Sequence, residues 1–155
     1  MKLGIMQPYF LPYIGYWQLI SYVDKFVVYD DVTFIKGGWI NRNRYLYQGE
    51  AKYFNIIMDG ASSYKKINEI SLLQDGARSR KKLLSTIQMA YKKAPQFEII
   101  YPLMESIIMF DESNMSKFIE NSICCICEHL GISTEILISS NIEKTPDLTK
   151  EHDRS

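Results

Sequence analysis

Two short apolar runs constrain this chain more than any other feature. Lys2–Met6 (KLGIM) stops at Gln7-Pro8, and Lys25–Asp31 (KFVVYDD) is apolar at every position from Phe26 to Tyr29. Strands that are apolar on successive residues are typical of parallel sheets covered by helices on both faces. Between the runs, Tyr13, Ile14, Trp17, Leu19, Ile20 and Val23 make a helix that is apolar around most of its girth, so it should be well buried. Pro12 suits the first turn of that helix, where its missing N–H has no bond to make. Strand, proline-bearing loop, helix, strand is a βαβ unit, and its crossover should be right-handed. The expected class is α/β: a Rossmann-like layered fold with a mainly parallel sheet plus a helical segment.

The remainder supplies a hairpin and helices. Thr33–Arg44 contains Gly37-Gly38 and reads as a loop. Tyr45–Tyr47 and Tyr53–Ile57 flank Gln48-Gly49-Glu50 in a β-hairpin pattern. Asp59–Tyr64 is a polar turn, and Ile67 with Glu69–Leu73 reads as another short strand. From Arg78 the period becomes helical through Leu83, Leu84, Ile87 and Tyr91, until Pro95. A second helix follows through Ile99, Ile100, Leu103 and Ile107. A third should start after Ser113 or Asn114 as N-cap and stop at Gly131. Glu135–Ser139 reads as the last strand. One α/β domain is expected over residues 1–140, with 141–155 a polar tail that reads as the start of a further C-terminal part.

Charge and cysteine usage exclude several classes. With 18 basic and 18 acidic residues the net charge is zero, which argues against bulk electrostatic binding to nucleic acid. The three cysteines all fall within Cys124–Cys127, an odd cluster that is no disulfide framework and fits a reducing cytoplasm. The N-terminus has no signal-peptide pattern, and no run approaches the roughly 18 apolar residues of a membrane span. A cytoplasmic protein without a membrane span is expected. Eleven tyrosines suit a ligand pocket as well as a core.

The chemistry-bearing residues cluster after the two strands. In an open α/β sheet, ligands bind beyond the carboxyl ends of the strands, and a helix start favours phosphate or carboxylate. That places Gln7, Pro8, Tyr9, Tyr13, Gly15 and Tyr16 at a candidate substrate site, Gln7 orienting a ligand and Gly15 allowing close approach. Asp30 and Asp31 follow the second strand and suit a base or an amine holder. Lys36-Gly-Gly-Trp-Ile-Asn-Arg-Asn-Arg44 is the densest polar segment. There Lys36 is a candidate catalytic cation, Trp39 a stacking platform, and Asn41, Arg42, Asn43 and Arg44 candidate ligands for phosphate or carboxylate. No metal centre is expected, because Cys124, Cys127 and His129 lack a second Cys/His pair. Two histidines give no hydrolase triad.

Met6–Ile20, Val28–Val32 and Lys36–Arg44 together resemble the WbqC-like family of bacteria, and Tyr91–Phe97 and Asp153-Arg154 fit the same pattern. Members are longer, with a helix and a Gly-rich segment after the position of Asp153-Arg154. The resemblance implies a role in O-antigen and other surface polysaccharide (lipopolysaccharide) biosynthesis. It also implies a transferase that places glycine or a similar amino-acyl group on an amino sugar or nucleotide sugar. A second resemblance, of fold, is to the nucleotidylyltransferases. Gly15-Tyr16 stands where that family has Gly-His, and no histidine lies upstream, so Lys36, Arg42 or Arg44 would have to stabilise transition-state charge instead. Three readings follow: the amino-acyl transferase, a nucleotidyltransferase of altered motif, or a non-catalytic scaffold subunit. The expected partner is a small-molecule or nucleotide-sugar substrate. The cofactor is left open, with ATP or another nucleotide and a divalent metal both compatible.

Overall fold

The computed structural model describes residues 1–74 and 76–145. Strand β1 (Leu3–Met6), helix α1 (Ile14–Tyr22) and strand β2 (Lys25–Val28) form the expected βαβ unit. A hairpin follows, β3 (Arg42–Tyr47) and β4 (Glu50–Asn55), then the short antiparallel pair β5 (Met58–Asp59) and β6 (Ser71–Leu72). Helices α2 (Gly76–Tyr91), α3 (Phe97–Ile108) and α4 (Met115–Leu130) precede the last strand, β7 (Glu135–Ile138). The main sheet is three-stranded and fully parallel, in the order β1-β2-β7, with Gly4, Phe26 and Ile136 in register. The protein is α/β and Rossmann-like in its layering.

One face of this sheet carries the core. Phe26 and Val28 are completely buried. Phe26 meets Tyr16 of α1 edge-on at 5.4 Å. Gly4 makes that contact possible, since a Cβ there would lie 3.1 Å from the Phe26 ring. Phe118, Ile119 and Ile123 of α4 join Ile20 and Phe26 in the same cluster. The N-cap of α4 is Asn114, whose side chain accepts the Lys117 N–H at 3.1 Å. Its end is Gly131 in the left-handed region at φ 66, where glycine avoids the Cβ penalty.

Several expectations need correction. The apolar runs implied a sheet covered on both faces, yet Leu3 is 50% and Ile5 52% exposed on the side away from Phe26. An ion pair, Lys25 Nζ to Glu135 at 3.0 Å, lies on that outer side. The outer face is thus open at β1, while Val27 of the central strand is buried on that side. Helix α1 is likewise buried along one stripe, Tyr16 and Ile20, while Ile14 and Tyr22 face outward. It begins one residue beyond its N-cap Tyr13, so Pro12 precedes the helix. Residues 42–44, expected in a loop, are the first half of β3, because the pairing extends to Arg42 opposite Asn55. The turn between them is Gln48-Gly49, both at positive φ, which matches the twist of a two-residue hairpin. Ile67–Glu69 is a 3-10 turn and not a strand, closed by Glu69 accepting the Lys66 N–H at 2.8 Å.

One-sided burial has a measurable consequence. Phe118→Ala removes a fully buried ring and should cost about 3–5 kcal/mol in urea unfolding. Ile5→Ala trims a half-exposed side chain and should cost roughly 1 kcal/mol or less.

Candidate functional site

The loop leaving β1 is held at every turn. The Gln7 carbonyl accepts the Tyr16 hydroxyl at 2.9 Å, and the Pro12 carbonyl accepts Trp17 Nε1 at 3.2 Å. Phe10 N–H donates to the Ile40 carbonyl at 2.9 Å. Asn43 Nδ2 donates to the Leu11 carbonyl, tying the loop to the hairpin. Leu11 itself sits at φ 47, a conformation L-residues rarely adopt, and these bonds hold it there. Pro8 is buried, and Phe10 stacks on Phe118 at 5.4 Å. Tyr16 is a core residue: burial, then the neighbouring Tyr9, pushes its hydroxyl pKa well above the ordinary value. Gly15 leaves room for the Tyr13 ring, which would lie 2.3 Å from an added Cβ. That ring is 68% exposed and can swing away, so the contact does not by itself require glycine.

On the outer side of this loop lies a hollow of about 300 Å³ lined by Tyr9, Pro12, Tyr13, Trp39, Asn43 and Arg44. Trp39 stacks on Tyr53 of β4, with ring centres 6.2 Å apart. Both arginines lie against this pair. The Arg42 guanidinium is 4.9 Å from the Trp39 ring and 5.4 Å from Tyr53, and that of Arg44 is 5.4 and 5.9 Å away. Residues two apart in a strand share a face, so two like charges stand side by side. Among the described residues no carboxylate lines the hollow. Among the described residues neither arginine has an acidic partner. Arg42 donates to the Gly37 carbonyl at 2.5 Å, and its Nε is buried without a partner. Arg44 makes no side-chain hydrogen bond of its own and stays exposed. The arrangement suits an anion: unpaired guanidinium forks beside aromatic faces attract phosphate or carboxylate.

Asn41 and Asn43 are occupied by structure. Asn41 Nδ2 donates to the Ile56 carbonyl at 3.1 Å, and Asn43 Oδ1 accepts the Arg44 N–H at 2.8 Å. Lys36 is exposed in the turn that Gly38 N–H closes onto the Ile35 carbonyl at 3.3 Å.

The aspartates sit elsewhere. Asp30, 2% exposed, accepts the Ser140 N–H at 2.9 Å, the Ser140 hydroxyl at 2.6 Å and Asn68 Nδ2 at 3.5 Å. It lines a polar crevice of about 270 Å³ with Asn68, Asn114, Ser116, Glu120 and Ser140, at the carboxyl ends of β2 and β7. Asp31 pairs with Lys144. Its partial burial would raise the carboxyl pKa, but hydrogen bonds from Lys144 and Ser139 outweigh that and hold it below the ordinary value. Asp30 and the Trp39–Arg44 segment thus line two separate hollows with no lining residue in common, and Asp31 lines neither. Tyr53 escaped the sequence reading because only the hairpin register places it opposite Arg44. Glu120 escaped because its helical spacing from Ser116, whose hydroxyl it accepts at 2.8 Å, is ordinary for any helix.

Burial disfavours the thiolate form of all three cysteines. Burial, then Cys124, pushes the Cys127 thiol up to about 11, and burial raises Cys124 and Cys125 as well. Among the described residues no group of three His, Cys, Asp or Glu side chains is arranged to hold a metal. No described helix is long and apolar enough to cross a membrane.

A parallel α/β layer with a clamped proline–aromatic loop, facing an arginine-bearing hairpin, defines the class. The chain belongs to the WbqC-like protein family, whose model matches residues 7–154. It is 30% identical over 144 residues to Rv1507c of Mycobacterium tuberculosis, described as an uncharacterized protein. That match takes in 92% of this chain and 62% of the relative, so the chain spans less than two thirds of the relative's length. No solved structure matches.

The crevice gives a pH test. Burial first, then the charge of Asp30 and of Glu112, raises the Glu120 pKa against the opposing pull of Ser116 and Lys117. A raised acid favours the folded state while protonated, so that contribution is lost as pH rises through the folded pKa. Glu120→Gln should therefore melt higher than the unaltered protein at pH 8. The gain should shrink as pH falls toward the ordinary glutamate range. Equal differences at all pH values would show that the carboxyl is not strained by ionisation.

Proposed function

We propose that this protein is an enzyme of bacterial surface polysaccharide (O-antigen) biosynthesis. It binds a phosphate-bearing sugar at the Trp39–Arg44 hollow and transfers an amino-acyl group, such as glycine, to the amine of an amino sugar. Family membership supports the setting. The observation that carries the binding half is the pair of arginines without acidic partners, laid against Trp39 and Tyr53. Arg44 holds the phosphate, Arg42 braces it from the Gly37 turn, and Tyr9, Tyr13 and Trp39 pack on sugar or base faces. In the transfer the amine nitrogen attacks the activated acyl carbon. The N–C bond forms as the bond to the donor's leaving group breaks, and the amine proton departs with that leaving group or to water, since no described carboxylate lines the hollow.

One observation favours a second reading. Because Asp30 is consumed by Ser140 and Asn68, no described carboxylate faces the Arg44 hollow, and a binding subunit without chemistry needs none.

Arg44→Gln tests the assignment more cleanly than Arg42→Ala, which also releases the Gly37 turn. In a calorimetric panel of nucleotide sugars, Arg44→Gln should weaken the best ligand about 10- to 100-fold, the range for one charge-assisted hydrogen bond. An unchanged Kd would overturn the role given to Arg44. Turnover of an amino-sugar acceptor separates the transferase from the binding-subunit reading.

A further inference from the structure

Next to the arginine hollow lies a larger, mostly apolar hollow of about 530 Å³. Its walls are Phe54 of β4, Ile87 and Tyr91 of α2, and Ile100, Tyr101 and Met104 of α3. Pro12, Tyr13, Asn43 and Arg44 line both spaces, so the two are contiguous at those residues. Among the described residues Arg44 is the one charged residue lining either. Two contacts join the walls. Leu46 N–H donates to the Tyr91 hydroxyl at 2.9 Å, pinning the end of α2 to the hairpin edge. Phe97 stacks on Tyr101 at 5.0 Å.

We infer that this chamber receives an aliphatic or isoprenoid chain whose phosphate end is held at Arg44, so that one substrate of this protein is a long-chain phosphate. The inference rests on the reading of Arg44 as an anion holder for its polar end alone. The volume falls within the range of small-molecule sites. The lining decides the chemistry. A nucleobase or a peptide backbone carries donors and acceptors that lose free energy when buried without partners. Of the two amides there, Asn43 already serves Leu11 and the Arg44 N–H, and Gln96 is the N-cap residue of α3. A hydrocarbon makes no such demand and gains from leaving water. Among the described residues the mouth carries one guanidinium and no carboxylate, which selects an anionic head.

The test is a series of octyl, decyl and dodecyl phosphate, each below its micelle concentration, titrated into the protein and followed by calorimetry. Decanol and inorganic phosphate are the two control arms. Affinity should rise roughly tenfold for each two methylenes added. Decyl phosphate should bind at least tenfold tighter than decanol, and Arg44→Gln should erase that preference. Ile100→Trp, which fills the chamber, should flatten the chain-length dependence while nucleotide-sugar binding persists. Binding without chain-length dependence, or decyl phosphate no tighter than decanol, overturns the inference, and the series on the unaltered protein needs no variant to fold. A nucleotide-sugar response lost in Arg44→Gln but intact in Ile100→Trp keeps the Arg44 reading whatever the chain series shows.

Discussion

The clamp on residues 7–12 is the constraint on which the rest of this molecule depends. A loop with two prolines has few donors, and its carbonyls must still be satisfied where it passes under other elements. Tyr16, Trp17 and Asn43 supply those bonds, from helix α1 and from the hairpin. Phe10 returns one to Ile40 and fills the space above Phe118. The proline–aromatic density at the join of first strand and first helix is therefore largely structural. It fastens the hairpin to the parallel layer and fixes the positions of Tyr9 and Tyr13. Those two rings then form one wall of the arginine hollow.

The hairpin contributes the charge. Placing Arg42 and Arg44 on one face costs repulsion that an acid on β4 would have relieved. The strand opposite offers Tyr53 and Asn55 in place of an acid. Aromatic faces attract guanidinium groups without neutralising them, so the positive potential remains available to a ligand. The acidic residues that do lie near the sheet are used differently. Asp30 anchors Ser140 after β7, and Asp31 holds Lys144. Both contacts fasten the segment after β7 to the end of β2. Asp30 and the arginines thereby line separate hollows.

How much of this could be read from the residues differs by level. The α/β class, the parallel strands and the limits of α4, placed at Ser113 or Asn114 and at Gly131, were legible because apolar runs, caps and left-handed glycines act locally. The start of β3 was not, because Arg42–Arg44 is polar and its pairing with Tyr53 and Asn55 is set by the Gln48-Gly49 turn. The open outer face of β1 was hidden because Leu3 and Ile5 are as apolar as covered strand residues. Trp39, Arg42 and Arg44 were singled out by type and spacing, and the fold does bring them together. Gly15 and Tyr16 drew attention by position, and packing accounts for Tyr16, which is buried against Phe26. The apolar chamber left no trace in the sequence, since its walls come from the loop, the hairpin and two helices at helical spacing that any core would show.

The central claim is that the Trp39–Arg44 hollow is where this protein takes its anionic ligand. A crystal structure of the protein with a bound nucleotide sugar tests it most directly. The account predicts a phosphate oxygen within hydrogen-bonding distance of the Arg44 guanidinium, with the sugar or base against Trp39 and Tyr13. A nucleotide sugar seated in the Asp30 crevice, with Arg44 left in solvent, would contradict it.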